Sequence, residues 1–369
     1  MRIEQIELRI VAIPMVRTFT ISSSSIDVAH HLIVAVRGEG LSGYGESAST
    51  NGPFYCGETV ETCWHVLRDF LAPSVIGADL ESVEQLSERW GKIKGNRFAV
   101  AGMEMACWDL LARSQGKPLS ELLGGTRTEI LSGVSLGIQP DTGALMELIG
   151  RFIGEGYRRI KLKIAPGKDV EVLRQVRSRW PDVALTADAN SAYCLDDAET
   201  LKQLDQFNLA MIEQPLAHDD LIEHAKLQEQ LQTPICLDES ILSVRHARHA
   251  LELGACRIIN IKVSRLGGLG PARKVHDFCL KRKLPVWCGG MNEFGVGRAA
   301  NIAIASLPGF TLPGDVCGFD KDYGDDIVSP YICARDGAIE VPCRPGLGYE
   351  IDQAKLDKYT VRKELLEEK

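Results

Sequence analysis

One pattern repeats through the last two-thirds of this chain and limits what it can fold into. From about residue 129, short apolar runs recur, each followed by a stretch with helical spacing. The runs are ILSGVSLGI, RRIKLKIA, VALTADAN, LAMIEQP, TPICLDES, CRIINIKV, KLPVWCGG and GFTLPGD. Connectors such as LIEHAKLQEQLQ and GPARKVHDFCLKRK separate them. Strands joined through helices lie parallel, because each helix carries the chain back to the edge where the next strand starts. Eight such units predict a (β/α)8-type α/β barrel, with a doubly wound open sheet as the alternative. No strong helical pattern follows Asp315, so the last helix is expected to be missing, giving a (β/α)7β barrel over residues 126–318.

The first 125 residues have a different texture. IEQIELRIVAI and HLIVAVRGEGLSGYGESA alternate like antiparallel strands, with a Gly-containing turn between Gly38 and Gly43. ETVETCWHVLRDFL and VAGMEMACWDLLARSQGKPLSELLGG carry apolar residues at helical spacing, the second ending at Gly124 and Gly125. Residues 1–125 are therefore predicted to form an α+β capping domain, and residues 319–369 to return and pack on it.

Within RRIKLKIAPG, Ile160, Leu162 and Ile164 alternate with Lys161 and Lys163, so a strand would point both lysines to one face. Alone, that is what a half-exposed strand with a solvated face looks like. The charged residues inside the later apolar runs argue otherwise. Lys163, Asp188, Glu213, Asp238 and Lys262 follow one another at intervals of 25, 25, 25 and 24 residues. One βα repeat has about that length, so the five sit at corresponding points of strands two to six. The C-terminal ends of barrel strands converge at the mouth where active sites form. Three neighbouring carboxylates there repel one another, and a divalent cation resolves the repulsion. Oxygen-only donors favour Mg²⁺, with Mn²⁺ acceptable, and the absence of histidine from these strands argues against zinc.

Lys163 and Lys262 would then flank a substrate from opposite sides. Lysine is a weak base at its ordinary pKa of about 10.4, and a neighbouring cation lowers it. Lys161 is placed to do so for Lys163, and Arg265 for Lys262. Two bases, a metal and no nucleophile suit removal of the proton α to a carboxylate, which leaves an enediolate.

Composition excludes other classes. Formal net charge is −8, from 42 Lys+Arg against 50 Asp+Glu, and no basic tract is present, so nucleic acid is not an expected partner. No apolar stretch approaches the roughly 20 residues of a membrane span. MRIEQIELRIVAIPMV alternates charged and apolar residues and lacks a signal-peptide core. Eleven cysteines without any CxxC pair read as free thiols in a reducing compartment, so a cytoplasmic location is expected. A small-molecule carboxylate is the expected partner, with assembly into a homo-oligomer.

The motifs KLK (161–163), DAN (188–190), EQP (213–215), DES (238–240) and IKVSRLGG (261–268) resemble the enolase superfamily, muconate lactonizing enzyme subgroup. That resemblance implies Asp188, Glu213 and Asp238 as metal ligands and Lys163 and Lys262 as acid/base residues. Lys161 and Asn190 would support the substrate carboxylate. The segment VWCGGMNEFGVGRAANIAIASLPGFTLPGD (286–315) and the Lys262-x-x-Arg265 spacing look most like the o-succinylbenzoate synthase and N-succinylamino acid racemase family. This implies syn-elimination of water in menaquinone biosynthesis, racemisation of N-acylamino acids, or both. Met291 and Asn292 in the GGM-x-E segment, and Ser135 at the end of strand one, are candidate substrate contacts, as are TFTISSSSI (18–26) and NGPFYC (51–56). His218 reads as a loop residue, and Asp315 as a structural or helix-capping one.

Related activities remain open. A dipeptide epimerase would use the same metal and lysines, but GDVCGFD lacks the Asp-x-Asp expected near strand eight. A muconate cycloisomerase has similar motifs. From a different class, a Schiff-base aldolase needs one lysine and leaves the carboxylates unexplained. A non-catalytic binding barrel would have no need to keep all five charges.

Overall fold

The computed structural model describes residues 1–368. The N-terminal sheet has the order β15-β1-β2-β3, with antiparallel neighbours. It is built from β1 (Gln5–Thr20), β2 (Ser25–Gly38), β3 (Leu41–Ser47) and the C-terminal β15 (Thr360–Glu367). Ile6, Leu8 and Ile10 are buried on one face of β1, as its alternation requires. β2 turns into β3 through Glu39 and Gly40, both left-handed at φ 49° and 78°, the conformation a two-residue hairpin loop needs.

Against this sheet lies the helix Arg97–Ser114, almost wholly buried because the second unit covers its other side. The approach is close. A Cβ on Gly45 would stand 2.1 Å from the Gly102 carbonyl oxygen, and one on Gly43 2.3 Å from that of Ala106. The expected single helical stretch up to Gly124 is in fact broken. Gly116 takes φ +62°, and Pro118 disfavours helical geometry in the residue before it, so a separate short helix runs Leu119–Leu123.

The second sheet is parallel, with seven strands paired in chain order. They are β5 (Val134–Leu136), β6 (Ile160–Lys163), β7 (Leu185–Asp188), β8 (Met211–Glu213), β9 (Ile235–Leu237), β10 (Ile258–Ile261) and β11 (Val286–Cys288). Two sequence expectations are corrected here. The start of ILSGVSLGI does not belong to this sheet: β4 (Glu129–Leu131) pairs antiparallel with β13 (Ala338–Glu340). The eighth run, GFTLPGD, forms no named strand. It meets the sheet through isolated bridges, Phe310 to Val286 of β11 and Gly314 to Ser132 ahead of β5, and through Asp315, whose amide donates to the Cys288 carbonyl at 2.8 Å. Pro313 lies between those two bridges and has no N–H to give a ladder. Of the tail, β12 (Val328–Ser329) pairs with β14 (Glu350–Ile351), and only β15 joins the N-terminal sheet. No helix among the described residues is long and apolar enough to cross a membrane.

Two buried carboxylates join the units. Glu104 accepts hydrogen bonds from the Leu269 and Gly270 amides at 2.7 and 2.8 Å, at the start of the helix Leu269–Lys281. Glu46 accepts from the Phe294 and Gly297 amides at 2.9 and 2.7 Å, at the start of the helix Gly295–Ala305. Each satisfies amides that a helix leaves free and meets the positive end of its dipole. These two helices begin just beyond the loops that follow β10 and β11.

Burial pushes the Glu104 carboxyl up from 4.5 to about 7. Between those values the unfolded chain is ionised while the folded one keeps its proton. Its contribution to stability is thus full below pH 4.5 and lost as pH rises through 7. Urea unfolding from pH 5 to 8 should show the wild-type protein losing roughly 3 kcal/mol relative to Glu104→Gln. Parallel curves for the two proteins would refute this account.

Candidate active site

The register of the parallel sheet brings the charged ladder together. Lys163 ends β6 opposite Asp188 of β7, and Asp188 pairs with Glu213 of β8. Asp238 and Lys262 follow directly after β9 and β10. All five are buried or nearly so. The loops leaving these strands hold strained positions: Asn190, Gln214 and Asn292 adopt left-handed φ of 44°, 37° and 54°. Gln214 uses its strain productively, its Oε1 accepting from the Asp238 amide at 3.0 Å and so fixing where that carboxylate leaves β9.

Lys161 is the centre of the charge network. Its Nζ lies 2.8 Å from Glu213 Oε2, 3.1 Å from Asp188 Oδ2 and 2.6 Å from Asp315 Oδ2. Lys163 Nζ donates to Asp188 Oδ2 at 2.6 Å and Asn190 Oδ1 at 2.7 Å, and Asn190 Nδ2 donates to Glu239 at 2.8 Å. On the other side, Lys262 Nζ stands 2.8 Å from Asp238 Oδ2 and donates to the Tyr55 hydroxyl at 3.3 Å. Asn260 Nδ2 donates to Glu213 Oε1 at 2.7 Å. Asp315 has Arg159 as a second cation at 2.5 Å. Of the two roles expected from the sequence, structural or helix-capping, it has the structural one, as an ion-pair partner, and no helix starts there.

The lysines differ electrostatically. Burial pushes the Lys163 ammonium below its ordinary pKa, and Lys161 adds to that shift while Asp188 opposes it. Burial acts the same way on Lys262, but Tyr55, Glu239, Glu213 and Asp188 outweigh it, so Lys262 is raised. The expected lowering by Arg265 is therefore corrected. Arg265 points away from that role. It pairs with Asp238 Oδ1 and donates to the carbonyls of Ile241 at 2.8 Å and Asn260 at 2.5 Å.

Of these groups, Tyr55, Lys161, Lys163, Asn190, Lys262 and Asp315 line an open cavity of about 1070 Å³, whereas Asp188, Glu213 and Asp238 do not line it. Ser135, Lys161, Lys163, Asn190 and Lys262 line it from the parallel sheet, and Met291 and Asn292 from the loop after β11. The Ser135 hydroxyl is buried with no partner among the described residues. Arg265 does not line the cavity, nor does the exposed His218. The opposite wall comes from the N-terminal unit, including Phe19, Ile21 and Ser24 of the 18–26 stretch and Asn51 and Tyr55 of the 51–56 loop.

Sequence reasoning missed Tyr55, Glu239, Asn260 and Arg159. Three of these carried a signal. Arg159 precedes Lys161 by two residues and Asn260 precedes Lys262 by two, so each shares its lysine's strand face, and Glu239 adjoins Asp238. Tyr55 lies in the loop NGPFYC (51–56), which the sequence offers as a candidate substrate contact, but nothing in that loop singles it out as a partner of Lys262 and Asp238.

Asp188, Glu213 and Asp238 are hard oxygen donors on adjacent strands, the type a Mg²⁺ or Mn²⁺ takes. Among the described residues no three potential ligands are grouped around one point. Each carboxylate is turned onto a lysine or arginine instead. Glu239 Oε2 is buried nearby with no partner. The donor chemistry fits a divalent cation, and here the ammonium groups of Lys161, Lys163 and Lys262 balance the carboxylates.

Comparison with known proteins agrees with this arrangement. Residues 5–124 match the family Mandelate racemase / muconate lactonizing enzyme, N-terminal domain, and residues 144–355 match Enolase C-terminal domain-like. An o-succinylbenzoate synthase of Geobacillus stearothermophilus is 51% identical over 97% of this chain and 96% of its own. An N-succinylamino acid racemase of Thermus thermophilus is 46% identical, covering 98% of each chain. A crystal structure of an enolase superfamily member from Listeria innocua superposes with TM-score 0.96 at 38% identity, covering 100% of this chain and 99% of that one. The two lysines and three carboxylates on consecutive strands thus stand on the fold these relatives share, and the chain belongs to the mandelate racemase / muconate lactonizing enzyme family of the enolase superfamily.

Proposed function

We propose that this protein removes the proton α to a carboxylate through an enediolate. The reaction would be the dehydration of an o-succinylbenzoate synthase, the racemisation of N-succinylamino acids, or both. The observation that carries this reading is one cavity with Lys163 and Lys262 on strands that flank three carboxylate-bearing ones. The names borne by the relatives of similar length favour these two reactions over epimerase or cycloisomerase chemistry. The reading includes a (β/α)7β barrel closed by residues 310–315, supported by the bridges of that segment to both edges of the sheet.

In this reading Asp188, Glu213 and Asp238 hold Mg²⁺, or Mn²⁺, which when bound offsets the charge that grows on the substrate carboxylate. Lys161 and Asn190 lie in the floor where that carboxylate would be held. Lys163 takes the α-proton at its Nζ on one face, and Lys262 stands on the other. Return of a proton from the opposite lysine inverts the carbon and gives racemisation. Loss of a β-hydroxyl from the same intermediate gives dehydration, with the proton held at Lys163 Nζ leaving in the water. The capping-domain wall, with Phe19 and Ile21, excludes solvent from that carbon.

Two experiments test this. In D₂O with Mg²⁺, NMR should show chelator-sensitive α-proton exchange from both enantiomers of an N-succinylamino acid. Lys163→Ala should slow exchange from one enantiomer by about 10²–10⁴-fold, and Lys262→Ala from the other. Exchange from neither enantiomer in the wild type would sink the proposal. Separately, Lys161→Met leaves buried carboxylates without their cation and should cost about 3–5 kcal/mol in urea unfolding. Millimolar Mg²⁺ should restore part of that loss, because the ion binds the folded form. No recovery would count against Asp188 and Glu213 as ligands.

A further inference from the structure

Resting on the carboxylate chemistry above, one cation of the cavity wall is still without a role. Lys321 lines the cavity, yet it pairs with none of the five acidic residues around the two lysines. Its partner is Asp322, with Nζ 2.8 Å from Oδ1, and its ammonium also lies 5.0 Å from the centre of the Phe19 ring. The Lys321 side chain is 8% exposed and that of Asp322 3%. Arg298, also in the cavity wall, reaches the other oxygen of Asp322 at 3.3 Å. Its Nη2 donates to the Glu293 carbonyl at 3.0 Å, while its Nη1 is buried with no partner among the described residues.

A buried ion pair adds little stability over apolar packing of the same volume, so stability alone is a poor reason for this one. Donor capacity is in excess here. An ammonium has three N–H donors and a guanidinium five, and one Asp322 carboxylate is shared between them. Other acids nearby are committed elsewhere. Asp326 accepts from the Gly295 and Ile327 amides at 2.9 and 2.7 Å. Glu293 accepts from Asn301 at 2.9 Å, and burial raises its pKa. The rest of this wall is apolar, with Met15, Phe19, Ile26, Met291 and Val316. One cavity therefore offers cationic groups at two separate places with apolar surface as well.

We propose that Lys321, backed by Arg298, is what recognises the second carboxylate of the succinyl substrates, whose reacting carboxylate lies at Lys163 and Lys262.

Isothermal titration in Mg²⁺ buffer, with N-succinyl- and N-butanoyl-phenylglycine as probes, isolates that second carboxylate. The wild-type protein should bind the succinyl compound about 10–100-fold more tightly, the range of a charged hydrogen bond. Lys321→Met should reduce that ratio to within about threefold, a residual below 1 kcal/mol, and Lys321→Arg should keep most of it. Lys321→Gln, whose amide can still meet Asp322, gives the same readout should the Met variant fold poorly. An unchanged ratio in Lys321→Met or Lys321→Gln overturns the proposal, as does a wild-type protein that binds both probes equally. Binding of neither probe by the wild type would overturn the underlying carboxylate reading as well, and the exchange experiment above separates that case.

Discussion

The structure is organised around one buried ammonium group. Lys161 touches Asp188, Glu213 and Asp315, and those contacts link β6 to β7, to β8 and to the segment after β11. Arg159, on the same face of the chain leading into β6, adds a second tie to Asp315. Taking so many charges out of water is costly, and only dense mutual pairing offsets it. The sheet could be more stable with leucines at these positions. What the charges supply is a polar floor in which Lys163 and Asn190 are held by Asp188 and Glu239, so they meet a ligand without first having to be ordered.

Chemistry and selection are divided between the two units. The parallel sheet carries the proposed acid/base lysines and the three carboxylates, while the N-terminal unit closes the cavity with Phe19, Ile21, Asn51 and Tyr55. That wall works only if the units keep their relative position. Glu46 and Glu104 see to this by capping helices of the second unit that begin just beyond the loops after β10 and β11. Tyr55 goes further: its hydroxyl donates to Asp238 at 3.2 Å and accepts from Lys262, so the outer wall touches a proposed metal ligand and a proposed acid/base residue directly. Changes in the wall should therefore alter chemistry as well as choice of substrate.

Legibility in the sequence followed physical range. The ladder from Lys163 to Lys262 was readable because strand period and βα repeat length are local properties, and corresponding positions of successive repeats land at one end of the sheet. The eighth strand was overestimated, because an apolar run shows a tendency to pair while Pro313 removes an amide needed to do so. Arg265 failed for a related reason. Three residues beyond Lys262 the chain has left the strand, and its guanidinium turns to Asp238 rather than acting on the lysine. Nearness in sequence stands in for nearness in space only while a regular element lasts. Tyr55 approaches the cavity from a loop and Lys321 from the end of a single 3-10 turn (Phe319–Lys321), both too short for periodicity to report direction.

Charge balance joins the metal to the substrate. Around Lys163 and Lys262, the formal anions Asp188, Glu213, Asp238, Glu239 and Asp315 face Arg159, Lys161, Lys163, Lys262 and Arg265. The count is zero with every cation protonated and minus one with Lys163 as the neutral amine that a base must be. In the proposed reading a divalent cation then leaves an excess of one positive charge, which low-dielectric surroundings make expensive. The carboxylate beside the α-carbon removes that excess, while a second carboxylate would be balanced at Lys321, where two cations share one Asp322. As the α-proton passes to Lys163, the enediolate gains one charge while the lysine becomes an ammonium, so the total is unchanged through the step. In the proposed reading, the reacting carboxylate and the divalent cation would therefore each favour the binding of the other.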